Sequence, residues 1–125
     1  MSYVDGFVLV VPKKKLAAYK KMATLGKKIW MKYGALDYKE CVGDDLNPKM
    51  GSETVPATFT KITGAKPTDL VVFAYIVFKS KKHRDAVNKK VMKDPKMNDP
   101  DFNPKDMPLD MKKFSYGGFK TIVEA

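Results

Sequence analysis

Nine consecutive residues without a charge, LVVFAYIVF at positions 70–78, constrain this chain more than any other stretch. At the two-residue repeat of a β-strand, Leu70, Val72, Ala74, Ile76 and Phe78 face one way, and Val71, Phe73, Tyr75 and Val77 the other. Both faces are apolar, so the strand has to be covered on both sides. The rest of the chain must supply that cover or borrow it.

Residues 3–11 (YVDGFVLVV), β-branched and aromatic and stopped by Pro12, predict a first strand. Leu16, Tyr19, Ala23, Gly26, Trp30 and Tyr33 then recur at spacings of three and four, which is one stripe of a helix over 13–33. Met22 and Ile29 widen the stripe, and Gly34 supplies the stop. Residues 35–42 (ALDYKECV) predict a second strand. The stretch 43–69 is rich in Gly, Pro, Asp and Thr, and connections of this length are often lids or binding loops. Within it, ETVPATFTKI (53–62) is expected to extend the second strand or to form a short separate one, confined by Pro56 to an edge or bulge. After the 70–78 strand, Ser80 caps a second helix whose inner stripe is His83, Val87 and Val91, with Ala86 beside them. Residues 94–112, dense in proline and aspartate, predict an irregular excursion. The last strand is expected over 114–124 (FSYGGFKTIVE), where Gly117 and Gly118 mark a bulge or the close approach of another group.

The order β-α-β-β-α-β is the split βαβ, or ferredoxin-like, arrangement. It predicts an α+β fold, with a four-stranded antiparallel sheet and both helices on one face, in a single domain spanning 1–125. Two helices hide only one sheet face. The first strand offers Phe7, Leu9 and Val11 on one side and Val4, Val8 and Val10 on the other, so beside 70–78 an apolar area uncommon in a soluble monomer is left exposed. A second copy, packed sheet against sheet, is the expected cover and gives a homodimer; folding of 43–69 over the face is the alternative.

The net charge of +10, from 24 basic and 14 acidic residues, attracts polyanions and steers acidic ligands but is silent on fold. Arg84 is the sole arginine. A lysine-only excess fits a solvated surface better than base or phosphate recognition, so nucleic acid is not the expected partner. The lone Cys41 cannot form an internal disulfide, and no secretory pattern accompanies it, which together favour a reducing cytoplasm. The opening MSYVDGFVLVVPKKK places an acid, a short apolar run and then lysines, the wrong order for a signal peptide. No run approaches the roughly 18 apolar residues of a membrane span, so no membrane association is expected.

Four segments, YVDGFVLVVPKKKLAAYKK, WMKYGALDYKECVGDD, HRDAVNKKVMKDP and MPLDMKKFSYGGFKTIVE, together resemble the YbaA-like family of small bacterial proteins. The similarity covers nearly the whole chain and is poorest over 46–68. That family is assigned to the dimeric α+β barrel superfamily, so the resemblance implies the ferredoxin-like fold and the dimer. It implies no activity, because none is established for the family.

Candidate chemistry is sparse. His83, the single histidine, could be a structural residue, a ligand contact lining a pocket, or a base. The superfamily resemblance adds the option of a haem ligand, since some dimeric α+β barrels are haem-degrading monooxygenases with an axial helix histidine. The residues themselves require no cofactor. Asp5, Glu40, Tyr75 and Tyr116 are polar or half-polar groups on otherwise apolar strands and could orient a ligand or move a proton. Their plainer readings are edge solvation for Glu40, a dimer-interface hydrogen bond for Asp5, and amphipathic filler for the tyrosines. Trp30 continues the core stripe and could also wall a pocket. Cys41 reads as strand packing. One histidine and one cysteine make no zinc site, and Asp44, Asp45 and Asn47 do not have EF-hand spacing. No phosphate-binding glycine motif occurs. The leading expectation is a homodimer that binds a small organic ligand, an anionic one among the options, in a helix–sheet pocket closed by 43–69 and 94–112. The alternatives are a cofactor-independent or haem-linked monooxygenase, by superfamily analogy alone, and a weak charge-driven nucleic-acid binder.

Overall fold

The structure is a computed structural model that describes residues 1–47 and 57–125. Its elements are β1 (Tyr3–Pro12), α1 (Leu16–Lys32), β2 (Asp37–Val42), a short α2 (Phe59–Thr63), β3 (Asp69–Phe78), α3 (Lys81–Met92) and β4 (Ser115–Lys120). The strands form one sheet in the order β2-β3-β1-β4, antiparallel at every junction. This is the ferredoxin-like α+β fold that the element order predicts. No helix among the described residues is long and apolar enough to cross a membrane.

The two long apolar strands occupy the centre of the sheet, where neighbours on both sides satisfy their backbone groups. Leu9 and Val11 of β1 and Val72 of β3 pack with Tyr19 of α1. Ile76 and Phe78 pack with Ile29, Ala35, Val87 and Val91, so α1 and α3 share one sheet face. The predicted stripe of α1 holds for Tyr19, Gly26 and Ile29, which are buried, whereas Met22 is exposed. Gly34 ends the helix region with φ +113°, a conformation that a residue with a Cβ rarely adopts.

The opposite face is only partly covered. Where α2 packs against β1 and β3, the paired Val10 and Val71 on that face are buried. Farther along, Phe73 and Phe119 remain 46% and 61% exposed. Helix α2, part of the 43–69 connection, thus covers one end of the sheet.

Two local expectations need correction. Residues 59–62, read as strand, lie in α2; residues 53–56 of that reading fall outside the described residues. Thr58 accepts a hydrogen bond from the Lys61 amide, and Gly64 closes the helix at φ 71°, so capping at both ends overrides the β-branched composition. The last strand stops at Lys120, and Thr121–Glu124 turns back: the Thr121 amide donates to the Ser2 carbonyl, and the Ser2 hydroxyl to Glu124. Register through Gly117 and Gly118 is continuous, without a bulge. The close approach is present instead: a Cβ on Gly118 would strike the Tyr3 ring and hydroxyl.

Ser80 caps α3 as expected, its Oγ accepting from the His83 amide at 3.1 Å. Ser80→Ala should destabilise the fold by about 1 kcal/mol in urea unfolding, with an unchanged dependence on denaturant concentration.

Candidate functional site

One row of side chains crosses the helix-covered face: Glu40 on β2, Ala74 on β3, Phe7 on β1 and Tyr116 on β4. The row beside it runs Tyr38, Ile76, Asp5 and Gly118. The polar candidates therefore separate into two groups, one at the β2 edge around Glu40 and one toward β4 around Asp5.

At the β2 edge, alternation turns Tyr38, Glu40 and Val42 toward α1. From α1, Leu16, Lys20, Thr24 and Lys27 follow one another at spacings of four, four and three, with Tyr19 and Ala23 beside them. Together with Val72 these residues enclose a cleft of about 360 Å³. Its side walls are mainly apolar, two lysines stand on α1, and one carboxylate belongs to the sheet. Tyr38 donates to one Glu40 oxygen at 2.6 Å, and Tyr19 donates to the other. Burial, followed by the hydrogen bond to Glu40 and its charge, pushes both phenols well above their ordinary pKa. They stay protonated donors at neutral pH. Two of the roughly four acceptor directions of the carboxylate are thereby used, which leaves Glu40 able to accept from a guest.

The second group is closed on itself. Asp5 is 1% exposed and pairs with Arg84 of α3 at 3.0 Å. Tyr116 donates to the other Asp5 oxygen at 3.3 Å, and the guanidinium lies 5.0 Å from the centre of the Tyr3 ring. Arg84 Nε is 2.8 Å from the Asp85 carboxylate but is not aligned with it as a hydrogen bond. Burial raises the Asp5 carboxyl above its ordinary range, and Arg84 opposes that rise. Asp5 therefore faces the helices with a partner of its own, not the open sheet face where an interface hydrogen bond was expected.

The remaining candidates are dispersed. Trp30 spans α1 and α3, donating to the Asn88 side chain at 2.9 Å. His83 Nδ1 accepts the Lys79 amide at 3.0 Å, its ring meets Phe78 edge-on, and Nε2 lies against Gly34. This is a packed imidazole that ties down the start of α3, and it lines neither the Glu40 cleft nor the small cavity behind it. Tyr75 points to the open face, stacked near Phe73 and Lys39. Cys41 shares that face and is exposed rather than packed. Among the described residues the cleft is walled by α1, β2 and β3, and no described residue of 43–69 or 94–112 lines it; residues 48–56 of the expected lid lie outside the described residues.

Sequence reading missed Arg84, Tyr19 and Tyr38 as site residues. Arg84 had a visible signal. A chain that uses lysine everywhere else keeps one arginine, at three and seven residues before the buried Val87 and Val91. Tyr38 shares a strand face with Glu40, but nothing in the sequence places Tyr19 above that face.

Fold and site define a single-sheet α+β protein of ferredoxin-like topology with a carboxylate-bearing cleft between α1 and the sheet edge. Residues 2–111 match the family described as "Protein of unknown function (DUF1428)", and the chain belongs to that family. It is 38% identical over 124 residues to the uncharacterized protein YbaA of Escherichia coli K12, covering 99% of each chain. The YbaA protein of Shigella flexneri shows the same identity and coverage.

The buried pair makes a sharp prediction. Arg84→Ala should cost about 3–5 kcal/mol at neutral pH, because it leaves Asp5 charged and unanswered. Replacing both partners with apolar residues, Asp5→Leu with Arg84→Met, should cost much less. Without the guanidinium the Asp5 carboxyl rises further, and a raised carboxyl contributes stability below its unfolded pKa that is lost as pH climbs through the folded one. The deficit of Arg84→Ala should therefore shrink on acidification; a deficit independent of pH in urea unfolding would contradict this account.

Proposed function

We propose that this protein is a homodimeric binding protein for a small organic acid, held in the cleft between α1 and β2. The carrying observation is the asymmetry of the cleft. Lys20 and Lys27 offer positive charge on the helix, while Glu40 offers free acceptor directions on the sheet. A matching ligand carries an anionic group for the lysines, a hydroxyl or amino group for Glu40, and an apolar body against Leu16, Ala23, Val42 and Val72. The net charge of +10 steers such an anion toward the protein.

A thermal-shift panel of six- to ten-carbon hydroxy and amino acids tests this reading. A true ligand at 100 times its Kd should add about 2.7 kcal/mol of stability. Lys20→Glu with Lys27→Glu should weaken it at least tenfold, about 1.4 kcal/mol or more. A panel in which no acid stabilises the protein, or a double variant that binds like the wild type, would sink it.

The dimer belongs to the same proposal. Phe73 and Phe119, exposed beside Val4, Val8 and Val77, form the kind of apolar surface that a second sheet covers across a two-fold axis. Sedimentation at micromolar concentration should report twice the chain mass, and Phe119→Asp should return a folded monomer. A wild-type monomer would refute the assembly and leave the cleft prediction standing.

A further inference from the structure

Behind Glu40 lies a second space of about 130 Å³, over the middle of the Glu40–Ala74–Phe7 row. It exists because Ala74, at the centre of the sheet, carries only a methyl group where its neighbours Val72 and Ile76 carry larger side chains. Phe7, Leu9, Ile76, Phe114 and Trp30 complete the wall. The indole N–H of Trp30 is already engaged by Asn88, so that side chain presents carbon to the space. The unsatisfied polarity is at the front, where Tyr19, Glu40 and Tyr38 border both this cavity and the outer cleft.

An apolar cavity of about 150 Å³ holds a benzene-sized guest, so this one is of the size for a compact ring or a branched alkyl group. We infer that the space above Ala74 is the inner compartment of the ligand site and takes the apolar end of the ligand, with the adjoining O–H or N–H donating to Glu40. This rests on the cleft reading and sharpens it. The ligand class becomes an aryl or branched-alkyl hydroxy or amino acid, with its ring or branch inward, its donor at the carboxylate and its anionic group outward toward Lys20 and Lys27. The Tyr19–Glu40–Tyr38 bridge is then the point where the ligand's polar centre is read. A straight-chain acid without a donor reaches the lysines but makes nothing of Glu40.

Trp30 is the only tryptophan of the chain and lines the inner compartment alone, whereas Thr24 and Lys27 line the outer cleft alone. The two spaces therefore have separate reporters in one NMR titration. Phenol, a six-carbon ring with one O–H donor, should shift the Trp30 indole and Ala74 amide resonances saturably. Hexanoate should shift Thr24 and Lys27 and leave Trp30 largely unmoved. Ala74→Leu should fill the inner space and cut the phenol response at Trp30 at least tenfold while the hexanoate response persists. Ala74→Val, a smaller filling, should give an intermediate loss and serves if the leucine variant does not fold. The inference is overturned if saturating phenol leaves Trp30 unshifted, as a cavity that keeps only water would, or if Ala74→Val and Ala74→Leu respond like the wild type. Failure of hexanoate at Thr24 and Lys27 with a normal phenol response would instead count against the outer cleft.

Discussion

Two central strands that are apolar on both faces govern this structure. β1 and β3 pair along their full length, and helices α1 and α3 can shelter only one side of that pair. Polar groups are therefore pushed outward along each row, so that Glu40 and Tyr116 sit on the edge strands with Ala74 and Phe7 between them. Asp5 breaks the pattern by standing on a central strand. An ionised carboxylate there is costly unless a charge answers it, which accounts for the placement of Arg84 directly above.

The two carboxylates differ in how they are answered. Asp5 has a cation and a phenol on its two oxygens, so its electrostatics close locally. Glu40 has two neutral phenols, which supply hydrogen bonds but no charge, and it borders open space on two sides. A negative charge held by neutral donors beside lysines it does not touch keeps acceptor capacity free, and the proposed ligand site rests on that.

The fold was legible because it depends on periodicity. The alternation of 70–78, the three-and-four stripe of 16–33 and the Ser80 cap are local signals, and each survives in the structure. The site was less legible because it depends on which elements meet. Glu40 and Trp30 could be nominated from their strand and helix, yet only packing brings Tyr19 over Glu40. His83 shows what one stripe can and cannot give. Its inward placement beside Val87 follows from the stripe and is present against Phe78 and Gly34, but that the Lys79 amide claims its ring nitrogen depends on the turn before α3. Arg84, one residue on, reaches the buried Asp5 carboxylate, a pairing that no local pattern announces. At 59–62 a strand was expected, and the Thr58 and Gly64 caps make a helix instead.

The ties along α1 are unevenly placed. Near its C-terminal end, Trp30 reaches Asn88, Tyr33 reaches Asp94, and Gly34 rests against His83, so the helix is moored to α3 and the turn that follows. Toward its other end, the polar tie to the sheet is Tyr19 on Glu40. The carboxylate end is held differently: only three residues join it to β1, and Tyr19 packs there against Leu9, Val11 and Val72. Loss of the Glu40 carboxylate would therefore remove a polar tie from that end of α1 and leave its apolar anchorage in place.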